Sequence, residues 1–199
     1  MTSPDPSATS LWARTRQAAY TEITAAAVRL FLEQGFEATT IDQIASECGI
    51  SRRSLFRYFG TKEDILLGDL EKQGVVIQAA LEARPLSEDP WEALRAALSS
   101  AQNLNRSPEE TLKLSTLLYE TPSLRARSIQ KHLKWKALLV PNVRQRLGGD
   151  HDDHADVRAD AIVACVLACL DVAGETWVRS NGTIALEELY DAAVHAIRN

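Results

Sequence analysis

The 199-residue sequence predicts an all-α fold of about nine helices. Three observations predict it. Apolar side chains recur at three- and four-residue spacing along most of the chain, and no segment alternates apolar and polar at period two. Helix-start chemistry is repeated as punctuation: Thr40-Ile41-Asp42-Gln43 has the capping-box form, while Asp89-Pro90, Ser107-Pro108 and Thr121-Pro122 each set a capping residue before a proline at the first helical position.

Residues 1–12 are rich in Ser, Thr and Pro and predict a disordered arm. The first amphipathic helix follows from about residue 13, on Ile23, Ala27, Leu30 and Phe31, and stops at Gly35. Thr40 caps a second helix whose inward stripe is Ile41, Ile44, Ala45 and Cys48, broken by Gly49. Ser51 caps a third, with Ile50 and Leu55 placed as a hydrophobic staple. Thr61-Lys62-Glu63-Asp64 starts a fourth helix that Ile65, Leu66, Leu70, Ile77 and Leu81 carry to about residue 83. Beyond Pro85 come helices starting at Pro90, Pro108 and Pro122, the last expected to kink or split at Pro141. Residues 148–154 read as a loop, 155–180 as a long helix of apolar and small residues, and 184–197 as a final amphipathic helix after Asn181-Gly182. The domains expected are a helix-turn-helix at 13–70 and a ligand-binding and dimerisation domain at 71–199.

The formal net charge is -5, which excludes a globally basic nucleic-acid coat but leaves room for a local patch. That patch is plain: Cys48 to Lys62 holds Arg52, Arg53, Arg57 and Lys62 and no acidic residue. The two short helices joined by Cys48-Gly49-Ile50 have the lengths and turn chemistry of a helix-turn-helix, which projects its second helix into the major groove of duplex DNA. Leu55 and Phe59 face inward on the spacing, leaving Ser54, Phe56 and Tyr58 at the rim. Arg52 and Arg53 fall in the first turn, where a guanidinium meets guanine O6 and N7. Lys62 heads the fourth helix, where an ammonium reaches a phosphate.

These residues carry a resemblance. Residues 20–67, above all Phe36-Glu-Ala-Thr-Thr-Ile-Asp-Gln-Ile-Ala45 and Gly49-Ile-Ser-Arg-Arg-Ser-Leu-Phe-Arg-Tyr-Phe-Gly-Thr-Lys-Glu-Asp64, resemble the amino-terminal domain of the TetR family of bacterial transcriptional regulators. The resemblance implies a homodimer, usually a repressor, that binds a near-palindromic operator and releases it when a small molecule enters the second domain. It implies phosphate contact at Thr40, base contact at Arg52, Arg53 and Ser54, and a footprint completed by Phe56, Tyr58 and Lys62. Two positions depart from the family pattern: Arg53 stands where Gly is frequent, and Phe56 where Tyr is frequent. The preferred operator therefore does not transfer, and a thymine methyl is the partner expected for Phe56.

In the second domain, the small residues Ala161, Ala164, Ala168, Ala173 and Gly174 and the apolar face Leu186, Leu189, Ala193 and Ile197 suit a four-helix dimer interface. Trp91, Tyr119, Arg127, His132, Trp135 and Trp177, together with Gln102 and Asn103, are candidates for contact with a mostly apolar effector, although scattered aromatics serve a core equally well. No cofactor is expected. His151-Asp152-Asp153-His154 offers four potential ligands, but adjacent ligands rarely converge on one ion, so the stretch reads as a solvated loop. Cys48, Cys165 and Cys169 read as small apolar residues rather than a disulfide framework. No nucleophile-base spacing or glycine-rich phosphate loop supports an enzyme, and the competing reading is a helical small-molecule or metal-binding protein without a DNA role. No apolar run reaches the roughly 18 residues of a membrane span, and residues 1–10 lack the basic and apolar regions of a signal peptide, so a cytoplasmic protein is expected.

Overall fold

A computed structural model describes residues 11–100, 107–148 and 154–198. Among them are nine α-helices and no strand: α1 (Leu11–Gln34), α2 (Ile41–Glu47), α3 (Arg52–Tyr58), α4 (Lys62–Glu82), α5 (Pro90–Ser100), α6 (Pro108–Glu120), α7 (Pro122–Arg146), α8 (Ala155–Arg179) and α9 (Leu186–Arg198). Residues 1–10 of the expected arm, Gln102, Asn103 and residues 149–153 lie outside the described residues. Leu11 and Trp12, assigned to the arm from composition, are instead the first residues of α1. The chain divides into two units, Met1–Gly68 and Asp69–Asn199.

The first unit is built by its caps and a small aromatic core. The Thr40 hydroxyl accepts from the Gln43 backbone N–H while the Gln43 side chain accepts from the Thr40 N–H, so two donors that α2 cannot satisfy internally are paired. Gly49, at φ +63°, supplies the left-handed turn that lets α3 start three residues later under the Ser51 cap. Ile23, Phe31, Phe36, Ile44, Leu55, Phe59 and Ile65 are buried. The Phe31 and Phe36 rings lie 4.9 Å apart and those of Tyr20 and Phe59 4.6 Å apart, within the range of favourable tilted aromatic pairs. Full burial of side chains this size is worth about 1.5–3 kcal/mol each, which holds two seven-residue helices too short to persist alone.

The second unit is layered around α8, which packs against α5, α6, α7 and α9. Its core joins Ile77, Leu81, Leu94, Leu139, Val143, Val163 and Val166, all essentially inaccessible. α7 is a single assigned helix through Pro141, which is exposed, so the helix does not split where the sequence predicts a break. Gly74 is required by packing: a Cβ there would lie 2.5 Å from Cδ1 of the Trp135 ring. α8 is long and apolar enough by length and composition to cross a membrane, contrary to the reading of the uninterrupted runs. A helix packed on several sides of a core acquires the same composition.

The small residues of α8 divide between two roles. Ala161, Ala164 and Ala168 are exposed and form one stripe with Val157 and Val172, which are 65% and 54% exposed. Ala173, by contrast, is buried, and Gly174 faces the Tyr119 hydroxyl, 2.2 Å from where a Cβ would stand. These two were expected on the interface and belong instead to the interior. On α9, Leu186, Leu189 and Ala193 pack against the core, leaving Ile197 half exposed.

Candidate DNA-reading surface and ligand cavity

The basic stretch folds as a surface. Along α3, Arg52, Arg53, Phe56 and Arg57 are exposed, Ser54 and Tyr58 are half-buried, and Leu55 and Phe59 are buried. Phe56 is 42% exposed, a large apolar ring held in water by the burial of its neighbours. The guanidinium groups differ in their commitments. Arg52 pairs with Asp42 at 3.4 Å and lies 5.6 Å from the Phe56 ring centre. Arg57 lies 5.6 Å from the Tyr58 ring centre. Arg53 has no hydrogen bond, ion pair or ring contact among the described residues, so its planar fork is free to meet a base.

Two other candidates are already partnered. Ser54 Oγ accepts from the Ser51 hydroxyl at 3.0 Å, inside the cap of α3. The Lys62 ammonium, expected to reach out to a phosphate, turns inward: it donates to the Phe36 carbonyl at 2.7 Å and the Thr39 carbonyl at 3.1 Å, and lies 4.2 Å from the Phe36 ring centre. Two of its three donors thus close the loop between α1 and α2, adding to the Thr39 N–H bond that the Phe36 carbonyl already accepts. Thr40 is exposed beside this loop, at the N-terminus of α2.

The second unit carries a partly open cavity of about 580 Å³. Four of the six proposed effector contacts line it: Tyr119, His132, Trp135 and Trp177. Trp91 and Arg127 do not. Trp91 packs on the core with the Arg198 guanidinium 5.6 Å from its ring centre, and Arg127 donates to Gln130 on its own helix. The sequence reading missed the rest of the polar wall, Arg95, Ser115, Ser128 and Tyr190 with Gln73, Ser99, Thr111 and Glu187. Tyr190 lies on the apolar face of α9, four residues after Leu186, so helical spacing carried a signal for it.

The cavity wall carries two charged side chains, Arg95 and Glu187. Arg95 is the only Lys or Arg on the described wall, and it is gripped by both carboxylate oxygens of Asp191, at 2.5 and 2.6 Å. Burial pushes the Tyr119 and Tyr190 phenols well above their ordinary range, with nearby acidic groups adding to it, so both stay protonated. Burial holds the His132 imidazole below its ordinary value, so it is neutral at pH 7. The Tyr190 hydroxyl is buried without a hydrogen-bond partner.

Both parts of this arrangement, the helix-turn-helix and the cavity-bearing helical unit, are matched. Residues 23–68 match the family model for bacterial regulatory proteins of the tetR family, and residues 88–199 match the MftR C-terminal domain. The transcriptional regulator TcmR of Streptomyces glaucescens is 30% identical over 181 residues, covering 86% of this chain and 79% of its own. The chain belongs to the TetR family of bacterial transcriptional regulators. The regulator MftR of Mycobacterium tuberculosis is likewise 30% identical, over 86% of this chain and 85% of its own length. The TetR-family repressor FadR of Thermus thermophilus, solved in complex with lauroyl-CoA, shares the fold with a TM-score of 0.58 at 20% identity, over 88% of this chain and 91% of its own. As a TetR-family member the chain is a DNA-binding helix-turn-helix regulator of transcription.

Proposed function

We propose that the protein is a ligand-releasable repressor that binds a near-palindromic operator as a homodimer, with α3 reading bases and the cavity of the second unit receiving the effector. The observation that carries this reading is the pairing, in one chain, of an exposed and uncommitted Arg53 on a firmly capped α3 with a separate, partly open cavity of about 580 Å³. A cavity of that size falls in the range of small-molecule sites and serves no purpose in a protein that only binds DNA. The exposed stripe of Val157, Ala161, Ala164, Ala168 and Val172 supports the dimer, because small and apolar side chains on one helical face let a second copy approach closely.

Release follows from differential affinity. α4 begins at Lys62 beside the reading head and contributes Gln73 and Ile77 to the cavity wall, so a ligand that favours one position of this helix changes the spacing of the two α3 helices. That spacing must match successive major grooves about 34–36 Å apart. A coupling of about 1–3 kcal/mol alters operator affinity roughly 5–150-fold. Reciprocity tests it: a compound that enters the cavity binds more weakly when operator is saturating, by the same factor by which it weakens operator binding. Equal affinity with and without operator excludes the compound as an inducer and the cavity as the switch.

A further inference from the structure

We infer that the cavity takes an uncharged, ring-bearing ligand whose one or two polar atoms are met by His132, rather than an ionic lipid-like or cationic one; the inference rests on the cavity being the effector site. The wall is lined by the aromatic side chains Trp135, Trp177, Tyr119 and Tyr190, whose apolar rings suit contact with a ring-bearing ligand. Its two charged side chains, Arg95 and Glu187, are both already engaged. Arg95, its sole described Lys or Arg, is held bidentately by Asp191, whose carboxylate already offsets its charge, so an arriving anion gains little net attraction from it. Glu187, the wall's carboxylate, is exposed and has an interaction of its own, so its attraction for a cation is screened by solvent.

Hydrogen-bonding capacity, in contrast, stands idle on the same wall. The His132 imidazole touches the Trp135 ring at 5.2 Å between centres but makes no hydrogen bond among the described residues, and the Tyr190 hydroxyl is buried and unpaired. Neutral imidazole offers one donor and one acceptor, and a phenol one donor. A buried polar group without a partner is unfavourable, so a ligand carbonyl or hydroxyl that completes it gains both the bond and the removal of that penalty. Specificity for a polar atom amid rings is therefore built into the free protein.

Calorimetry on the full chain without DNA tests the ligand class independently of any operator, so failure here leaves the DNA-binding reading untouched. The probes are three three-ring compounds: flavone, which is uncharged with a carbonyl acceptor; N-methylacridinium, a cation; and anthracene-2-carboxylate, an anion. Flavone should bind tightest, and His132→Phe should weaken it about five- to tenfold, the size of one buried hydrogen bond, while leaving its acceptor-free analogue 2-phenylnaphthalene unchanged. Tyr190→Phe, which deletes only a hydroxyl, gives the same comparison should His132→Phe not fold. No flavone binding up to its solubility limit, tighter binding of either ion, or flavone affinity unmoved by both variants would overturn the inference.

Discussion

The Lys62 ammonium donates to the Phe36 carbonyl at 2.7 Å and lies over the ring of the same residue, binding the start of α4 to a loop 26 residues earlier. A group placed like this is a structural tie before it is a DNA contact. Lys62→Met, which keeps the stem and loses the ammonium, should lower stability by about 1.5–3 kcal/mol, the range for hydrogen bonds to a charged donor. Urea unfolding measures it. The salt dependence of DNA binding should fall by less than the full count of one phosphate contact, and a full unit lost with stability unchanged would restore Lys62 to the phosphate.

Arg53 and Arg52 should separate in a binding experiment, because one is uncommitted and the other is paired with Asp42. Arg53→Ala should cost about 1–3 kcal/mol at one base pair and relax preference there. Asp42→Asn frees Arg52 and removes a negative charge from the reading surface. An exposed ion pair is worth about 0.2–1 kcal/mol, so this variant should tighten DNA binding about 1.5- to 5-fold on all sequences. Weaker binding by Asp42→Asn would mean that the ion pair orients Arg52 rather than restraining it.

The exposed stripe on α8 predicts a monomeric variant. Ala164 is exposed within one copy, so Ala164→Glu should leave the fold and its thermal midpoint nearly unchanged while placing a carboxylate in the close-packed contact. Sedimentation should show about twice the monomer mass for the parent protein and the monomer mass for the variant. A parent monomer, or a variant dimer of undiminished affinity, would place the interface elsewhere.

His132 gives stability a pH dependence of known sign. Its folded-state value is depressed by burial below the ordinary 6.5, so the unfolded chain takes up the proton first as pH falls. Stability is fully present above about pH 6.5 and declines below it, until the folded state protonates too. Asp191, Glu88 and Glu109, held low by hydrogen bonds from Arg95, Arg84 and Lys113, act in a separate window, losing their contribution only as pH falls below the ordinary carboxylate range. Denaturation midpoints between about pH 7.5 and about pH 5.5 should fall for the parent and flatten for His132→Phe. An unchanged slope in the variant would assign the dependence to another group.

What the sequence disclosed was local, and what it withheld was convergence. Caps, turns and the inward spacing of Leu55 and Phe59 depend on neighbours within a helical turn or two, so Thr40, Ser51 and Gly49 could be placed by reading alone. The nine elements follow from the same short-range chemistry. The inward contacts of Lys62 escaped the reading because its partners, Phe36 and Thr39, are 26 and 23 residues away, and nothing in the basic stretch marks an ammonium that turns inward. The cavity wall draws on six helices, so periodicity offered the aromatics without showing that Trp91 packs elsewhere or that Arg95 is neutralised by a carboxylate 96 residues later. Ala173 and Gly174 share small size with Ala164 and Ala168, and only the packing of α8 tells interior from surface.

The central claim, that two copies of α3 read a two-fold operator, is tested most directly by selecting bound sequences from a pool of random duplex DNA with the full-length protein. The selected sequences should converge on a near-palindrome whose half-sites are centred about one helical turn, 10–10.5 base pairs, or a multiple of it apart, and Arg53→Ala should lose preference at one symmetric pair of positions. Convergence on a single asymmetric half-site, or no convergence at all, would contradict it.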